Sequence, residues 1–574
     1  MLVPMPAPTP EILHQLLKTH FGYDTFRPLQ EEIVRTTLEG RDVLALLPTG
    51  GGKSLCFQLP ALVGQGLTLV VSPLIALMKD QVDQLQAAGI PATFLNSTLD
   101  NHEARHRLQG LNNGEYRLLY AAPERVMTPG FMEDLVRWKV ERIAIDEAHC
   151  ISEWGHDFRP EYRQLPALRK VLPNAPIIAL TATATDQVRE DIGTFLGLKD
   201  PVRFTASFNR PNLTYRVTPK TAGMDRLLEF LKTQGDDSGI IYCQSRKSTE
   251  LLASRLTAEG VPAVAYHAGL DHAERVKNQD LFLRDRVRVV CATIAFGMGI
   301  NKPNVRFVVH FDLPKNLEGY YQETGRAGRD GLPGSCLLLF SNGDVGKYLN
   351  FISETPDPAE AARQRHLLDQ VVHYAEASDC RRRLLLGYFS EEFTEANCGA
   401  CDNCLSPRET FDGTLAAQKM MSCVIRANQA SNWQFGLVHY CDILCGANTD
   451  AMRKRDHFRL STYGIGKEMK KSEWQAIGRE LMRLGLLQAD ATRMNTIFVT
   501  PLGMDLLRKR TPIQLTRPLK VDERKPKRMA TGEIECDESL FEILRKVRRE
   551  LADARAVPPY VIFGDVALRH MARS

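Results

Sequence analysis

The chain has no apolar run long enough to cross a membrane. Its longest stretches, such as 67–71 and 177–180, hold five and four residues, against about 20 for a spanning helix. Neither Lys nor Arg occurs before Lys18, so the cationic opening of a secretory signal is missing as well. Charge of one sign is also scarce. With 73 Lys and Arg against 69 Asp and Glu, the net charge is +4, short of the strongly basic signature of a dedicated nucleic-acid binder. Any grip on DNA or RNA must come from local clusters. No short-period repeat is present. The remaining composition is ordinary, 44% apolar and 25% charged, which excludes wholesale disorder. The 574 residues should form roughly three to five domains at about 150 residues each, in a soluble intracellular protein.

Thirteen cysteines fall into two groups. Nine are scattered, and Cys150, Cys243, Cys291 and Cys336 lie in or beside apolar runs, where Cys behaves as a small hydrophobe. The others, Cys380, Cys398, Cys401 and Cys404, are clustered. Without a secretion signal, that clustering points to metal rather than disulfides. Four thiolates suit tetrahedral Zn²⁺ in a closed, structural site. An iron–sulfur cluster is the rival, since C-x2-C-x2-C is also a ferredoxin spacing, but the ferredoxin run has its fourth Cys where Arg408 stands.

Two stretches, 40–200 and 238–340, alternate short apolar runs with helical patterns. VLALL, LTLVVS, RLLYAA, RIAID and PIIALTAT read as buried strands in the first, and GIIYC, AVAYH, VRVVCAT, VRFVVHF and CLLLF in the second. Continuous β-branched runs separated by helices indicate parallel sheets covered on both faces. Each stretch is therefore an α/β unit. Between them SFNRPNLTYRV (207–217) carries Pro and Asn and reads as a hinge. Residues 346–397 are helical by periodicity, with a basic knot at Arg381, Arg382 and Arg383. From about 408 to 517, helical patterns close in a hairpin over 486–500, which suggests a winged helix. The Pro- and Lys/Arg-rich 517–533 fits a linker. The remainder reads as amphipathic helix, and the uncapped ending HMARS looks cut short.

The strongest motif is Pro48-Thr49-Gly50-Gly51-Gly52-Lys53-Ser54, between VLALL and the helical SLCFQLPALV. Successive glycines let backbone N–H groups close on phosphate oxygens, and the helix N-terminus adds a favourable dipole. Lys53 would reach the β- and γ-phosphates and Ser54 would ligate Mg²⁺. The general pattern places glycine where Leu47 stands, so the match is to the looser helicase variant. A second signal, Asp146-Glu147-Ala148-His149, directly follows the apolar 142–145. A carboxylate at the carboxyl end of a buried parallel strand points into the ligand crevice. Asp146 would hold Mg²⁺, and Glu147 would orient and deprotonate the attacking water. The third signal is Gln322-Glu323-Thr324-Gly325-Arg326-Ala327-Gly328-Arg329-Asp330. Arginine offers a planar, permanent charge to phosphoryl oxygens. Supplying Arg326 and Arg329 from a second unit makes hydrolysis depend on closing a cleft, as a motor requires.

Together these motifs resemble superfamily-2 helicases and, within them, the RecQ family, in family order over residues 10–517. The resemblance implies two RecA-like lobes. Phe21-Gly22-Tyr23, Phe26-Arg27-Pro28 and Gln30 are similar to the family's motif zero. By that likeness Tyr23 stacks on adenine, while Arg27 and Gln30 read its edge and select ATP. SPLIALMKDQV (72–82) resembles motif Ia, and TATAT (181–185) resembles motif III, whose hydroxyls couple nucleotide and DNA sites. YCQSR (242–246) and YHAGL (266–270) resemble the second lobe's early motifs, and TIAFGMGINKPNVR (293–306) motif V. HCISEWGHDFRPEY (149–162) is similar to the family's aromatic-rich loop, which senses single-stranded DNA; here Trp154, Phe158 and Arg159 would make the contact. Aromatic faces stack on bases and Arg adds charge or a cation–π contact. On the residues alone, Trp154 and Phe158 read equally well as core. The family's zinc subdomain carries its first cysteine well upstream, as Cys380 does here, which favours Zn²⁺.

Residues 453–471 hold Arg453, Lys454, Arg455, Arg459, Lys467, Lys470 and Lys471 against Asp456 and Glu468. In the family the matching winged helix grips duplex backbone, with steep salt dependence and little sequence preference. The wing tip has Thr492, Arg493 and Met494 but no aromatic, unlike relatives whose tip stacks on a terminal base pair. The arginines at 381–383 are a phosphate contact or a solvated helix face. Residues 539–572 resemble the opening of the helicase-and-RNase-D C-terminal domain.

The expectation is an α/β protein with RecA-like parallel-sheet lobes at 1–206 and 207–345. A helical zinc-binding subdomain follows at 346–407, a winged helix at 408–517, and a linker with an incomplete C-terminal domain at 518–574. The resemblance implies an ATP- and Mg²⁺-dependent 3′-to-5′ DNA helicase of recombination and repair. It would act on single-stranded and forked DNA as a monomer in the bacterial cytoplasm, at the nucleoid. Single-strand-binding protein and a type I topoisomerase are the protein partners implied. An RNA remodeller on the same motor and a non-hydrolysing DNA scaffold are the rival readings.

Overall fold

A computed structural model describes residues 9–73, 75–96, 99–155, 157–294, 296, 302–406, 410–490, 496–516 and 534–573. The wing tip (491–495), the linker (517–533), His156 and the glycine-rich part of motif V (297–301) lie outside the described residues. By packing the chain divides into two units. One comprises Met1–Val371, Arg382–Ala396 and Ala530–Ser574, the other Val372–Arg381 and Asn397–Met529.

The first unit contains two parallel sheets. One is built from β1 (Val43–Leu46), β2 (Leu67–Val71), β3 (Ala92–Leu95), β4 (Leu118–Ala121), β5 (Val140–Ile145), β6 (Ile177–Thr181) and β7 (Val202–Thr205), in the order β3-β4-β2-β5-β6-β1-β7. The other is built from β8 (Leu213–Pro219), β9 (Gly239–Tyr242), β10 (Ala263–Tyr266), β11 (Val289–Ala292), β12 (Phe307–His310) and β13 (Gly334–Phe340), in the order β10-β11-β9-β12-β13-β8. Every residue of β1, β2, β4, β6, β9, β11 and β12 is buried, as strands covered on both faces must be. Leu118, Tyr120 and Ile178 centre one core and Ile241, Phe307 and Val309 the other, each contributing about 1.5–3 kcal/mol through burial. Cys150, Cys243, Cys291 and Cys336 are buried, as small hydrophobes are.

Three strands of these two sheets escape the sequence pattern: β3, β7 and β8. The hinge is shorter than expected, because Leu213 onward is strand, in register with β13 from Leu213↔Gly334 to Pro219↔Phe340. A sheet edge tolerates its terminal Pro. The connector is then 206–212, and it is braced by residues 382–391. Glu391 accepts from Ser207 Oγ at 2.5 Å and from the Phe208 amide at 2.6 Å. Phe389 stacks on Phe208 with centroids 4.6 Å apart.

Arg381 and Arg382 are buried and so form no solvated face, while Arg383 is half-buried. Arg382 is buried and donates to Asn209 Oδ1 at 2.6 Å and to the carbonyls of Arg210 and Leu213 at 2.7 Å. Arg383 donates to the Glu395 carbonyl at 2.6 Å. Arg381, in the second unit, is buried against Asp402 at 3.0 Å.

In that second unit, β14 (Thr410–Asp412) pairs with β17 (Gln514–Thr516) around the helices Thr414–Ser431, Leu437–Cys445 and Lys471–Arg483. The expected hairpin is present as antiparallel β15 (Leu487–Asp490) and β16 (Thr496–Val499). Trp474 is fully buried at its centre, its indole N–H donating to the Gly466 carbonyl at 2.7 Å. Residues 538–571 form three helices, Glu538–Ala554, Pro559–Ile562 and Asp565–Met571, with Pro558 and Pro559 at the first break and Phe563-Gly564 at the second. Among the described residues no helix is long and apolar enough to cross a membrane.

Candidate functional site

β1 delivers the chain into the glycine loop. Gly50 and Gly52 adopt φ +82° and +78°, a left-handed backbone that glycine enters without steric cost. A Cβ at Gly52 would fall 2.2 Å from Gln30 Nε2 and would displace that amide from the loop. The Gly51 amide donates to the Pro48 carbonyl at 2.8 Å, and Lys53 Nζ donates to the Leu47 carbonyl at 3.3 Å. Ser54 Oγ accepts from Gln81 Nε2 at 3.3 Å. Arg27 and Gln30 both reach this loop. Arg27 donates to the Gly50 carbonyl, and Gln30 Nε2 donates to the Gly52 carbonyl at 3.0 Å. Tyr23 is exposed.

Asp146 and Glu147 leave β5, two strands from β1 across β6. Asp146 is buried; desolvation and the neighbouring Glu147 carboxylate push it up to about 7, against the pull of Lys53. Glu147 has φ +48°, at a cost of about 1–2 kcal/mol for a residue with a Cβ. Its Oε2 is buried, makes no hydrogen bond among the described residues, and lies 3.3 Å from His149 Nδ1. Desolvation, with Lys53 and Arg159 nearby, pulls His149 down to about 3, so the ring is neutral. That ring meets Thr181 Oγ1 at 2.8 Å.

From the second sheet come Arg326, which is buried, and Arg329, whose stem runs along Gly50: a Cβ there would meet Arg329 Cγ at 3.6 Å. Desolvation, then Arg326 and Arg210, draw Arg329 down to about 9. A cleft of about 440 Å³ is lined by Tyr23, Arg27, Gln30, Thr49, Gly50, Gly52, Lys53, Ser54, Asp146, Glu147, Arg326 and Arg329. Of the expected nucleotide residues, Gly51 alone is not on its wall. Backbone N–H groups, the cations Lys53, Arg326 and Arg329 and the carboxylates Asp146 and Glu147 fit a nucleoside triphosphate with a divalent cation.

Trp154 and Phe158 are 40% and 36% exposed and so are not core residues. The Arg363 guanidinium lies 5.4 Å over the Trp154 ring. Arg159 donates to the Pro73 carbonyl at 3.0 Å and to Asp157 at 3.1 Å, joining this loop to the start of the 72–82 segment.

The Sγ atoms of Cys380, Cys398, Cys401 and Cys404 lie within 4.8 Å of one another. Tetrahedral zinc with Zn–S near 2.3 Å needs sulfurs about 3.8 Å apart, so the thiol set fits that ion. Asn403 ties its knuckle to the segment before Cys380, donating to the carbonyls of Ala377 and Asp379 at 3.0 and 2.7 Å.

Two contributors went unassigned in the sequence. Gln322 donates to Thr183 Oγ1 at 3.0 Å, and Arg210 hydrogen-bonds into both loops of the cleft. Gln322 stands in a motif but had no role there. Arg210 lies in the hinge, where nothing in the local pattern distinguishes it.

Comparison with known proteins matches the chain to five family models in succession. They are DEAD/DEAH box helicase (27–192), helicase conserved C-terminal domain (222–331), RecQ zinc-binding (342–405), RQC domain (407–524) and HRDC domain (537–574). A protein of Haemophilus influenzae named ATP-dependent DNA helicase RecQ is 45% identical over 97% of this chain and 90% of its own. One of the same name from Bacillus subtilis is 41% identical over 97% and 92%. Among solved structures, the Mycobacterium smegmatis helicase Lhr bound to single-stranded DNA and AMP-PNP is similar in fold. It has a TM-score of 0.51 at 17% identity, over 88% of this chain and 62% of that one.

Proposed function

The chain belongs to the RecQ family of helicases, and from that premise we propose that it hydrolyses ATP with Mg²⁺ to move 3′ to 5′ along single-stranded DNA. In doing so it parts forked duplexes in recombination and repair. The observation that carries this reading is the single cleft where Lys53, Ser54, Asp146 and Glu147 from one sheet meet Arg326 and Arg329 from the other.

In that cleft the glycine loop and Lys53 bind the phosphate chain, and Ser54 and Asp146 hold the metal. Mg²⁺ bound there supplies neutralisation of charge on the β- and γ-oxygens. Glu147 orients the attacking water and takes its proton, while Arg329 and Arg326 meet the charge that grows on the γ-phosphoryl group. Tyr23 stacks on adenine, and Arg27 and Gln30 read its edge. Because both now hold the glycine loop, base recognition also sets the loop's shape.

Trp154, Phe158 and Arg159 contact single-stranded DNA, in the segment that begins with the Asp146–His149 motif. The basic residues at 453–471 hold duplex backbone. Cys380, Cys398, Cys401 and Cys404 hold structural Zn²⁺. The protein acts as a monomer in the cytoplasm at the nucleoid, with single-strand-binding protein and a type I topoisomerase as partners. Functionally the chain divides at 206, 345, 407 and 517.

The test is ATP-dependent strand separation on DNA duplexes with a 3′ tail, a 5′ tail or none, beside a 3′-tailed RNA duplex. Selective opening of the 3′-tailed DNA is expected. Opening of the RNA duplex, or tight DNA binding without any opening, overturns the reading.

A further inference from the structure

Arg210 lies in the connector between the two sheets, and its guanidinium serves both sides of the cleft. One terminal nitrogen donates to the carbonyl of Thr49 in the glycine loop at 3.1 Å and to that of Gly325 in the arginine loop at 3.3 Å. The other donates to the carbonyls of Ala327 and Gly328 at 3.1 and 2.9 Å. Asn212, two residues on, clasps the same arginine loop at the carbonyls of Gly328 and Leu332, at 2.9 and 2.8 Å. The Arg210 backbone is itself fixed, its carbonyl accepting from Arg382 at 2.7 Å.

We propose that Arg210 is a positioning residue for hydrolysis: it sets the arginine loop against the glycine loop, so that Arg329 meets the γ-phosphoryl group in register. The inference rests on the reading of Arg329 given above. Two features of the contact set support it. A guanidinium is a rigid planar fork with five donors, so four carbonyls from two loops define its plane and its plane defines them. A lysine ammonium is a flexible point charge and cannot span the same set. The four acceptors are also neutral carbonyls. They orient Arg210 without cancelling its charge, which lies close enough to act on Arg329.

The experiment measures DNA-stimulated ATP turnover of the full chain for Arg210→Lys, Asn212→Ala, Arg329→Ala and the Arg210→Lys/Arg329→Ala pair. Thermal unfolding and DNA affinity are measured alongside. Loss of register should lower kcat of Arg210→Lys by about 100-fold and leave KM for ATP within about threefold, because ground-state binding is untouched. Added to Arg329→Ala, Arg210→Lys should cost less than about twofold more. A merely structural role would instead lower the unfolding temperature and cut activity in proportion to folded protein. Near-normal kcat for Arg210→Lys, or losses that multiply in full in the pair, overturns the proposal. If Arg210→Lys does not fold, Asn212→Ala decides: an unchanged kcat sinks the idea. Normal turnover in Arg329→Ala would instead overturn the reading of the nucleotide site itself.

Discussion

Gln322 Nε2 stands 3.0 Å from Thr183 Oγ1, a hydrogen bond between a helix of the second sheet and the turn that follows β6 in the first. The Thr183 carbonyl accepts from the Thr181 hydroxyl at 2.9 Å, and that hydroxyl meets His149 at 2.8 Å. A continuous polar path thus leads from the arginine loop to the Asp146–His149 motif. Thr183→Val and Gln322→Ala should each lower DNA-stimulated turnover by roughly tenfold with ATP affinity kept, and the double variant should fall no further. Additive losses in the double-mutant cycle would show that the two side chains act independently.

Lys53→Ala should abolish turnover while sparing DNA binding, since Lys53 faces the phosphate cleft. Glu147→Gln should retain nucleotide binding and lower kcat by about 10²–10⁴-fold, the usual contribution of a general base. Steady-state kinetics with a parallel nucleotide-binding titration checks both. ATP hydrolysis surviving Lys53→Ala would show that the phosphate-loop assignment is wrong.

Cys401→Ser should release the metal and unfold its surroundings rather than alter chemistry directly, because ligand binding and folding are one equilibrium at a structural zinc site. Metal analysis of the purified wild type should return one zinc per chain and no visible absorption from iron–sulfur charge transfer. Stoichiometric iron with sulfide would replace the zinc reading by its rival.

In the second unit, His439 Nε2 contacts His457 Nδ1 at 2.9 Å, and His457 Nε2 contacts Ser431 Oγ at 2.6 Å. Desolvation, with His457 and Arg455 beside it and Asp442 opposing, pulls His439 down to about 4. Desolvation and Arg455 lower His457 too. An unfolded His titrates near 6.5, so between these values the unfolded chain binds the extra proton. Stability is therefore full above about pH 6.5 and is lost as pH falls toward 4, by about 1–2 kcal/mol for a partly exposed ring. His439→Gln should flatten that slope in thermal unfolding between pH 7.5 and 5. An unchanged slope would place the dependence elsewhere.

The central strands were legible because covered parallel strands read as unbroken apolar runs. The edge strands β7 and β8 are not of that kind. In β7, Val202 and Phe204 alternate with the exposed Arg203 and Thr205, and in β8 a Pro-Asn segment precedes the strand and Pro219 ends it. The glycine loop, the paired carboxylates and the four cysteines were legible as motifs because their chemistry demands fixed spacing. Arg210 and Arg382 were not. Each is held by backbone carbonyls, and carbonyls are present at every residue, so no partner residue type in the sequence announces the contact. For the same reason Arg382 and Arg383 looked like part of a surface charge knot, while Arg381 is tied to Asp402, a carboxylate 21 residues away.

The contact between Arg382 and the Arg210 carbonyl spans 172 residues. On a ribosome adding about 5–20 residues per second, Arg210 is made roughly 10–35 s before the side chain that fastens it. In the interval both sheets can form while the connector between them stays unlatched. Residues 372–381 pack in the other unit, most of which is synthesised only after Arg382–Ala396 have returned to the first. A chain ended at residue 345 would never receive the latch, so the connector is fastened in this way only in a chain that reaches Arg382. The newborn protein thus passes through a stage with its two sheets made and its connector not yet fastened by Arg382, though Arg210 and Asn212 can already bond to the loops of the cleft.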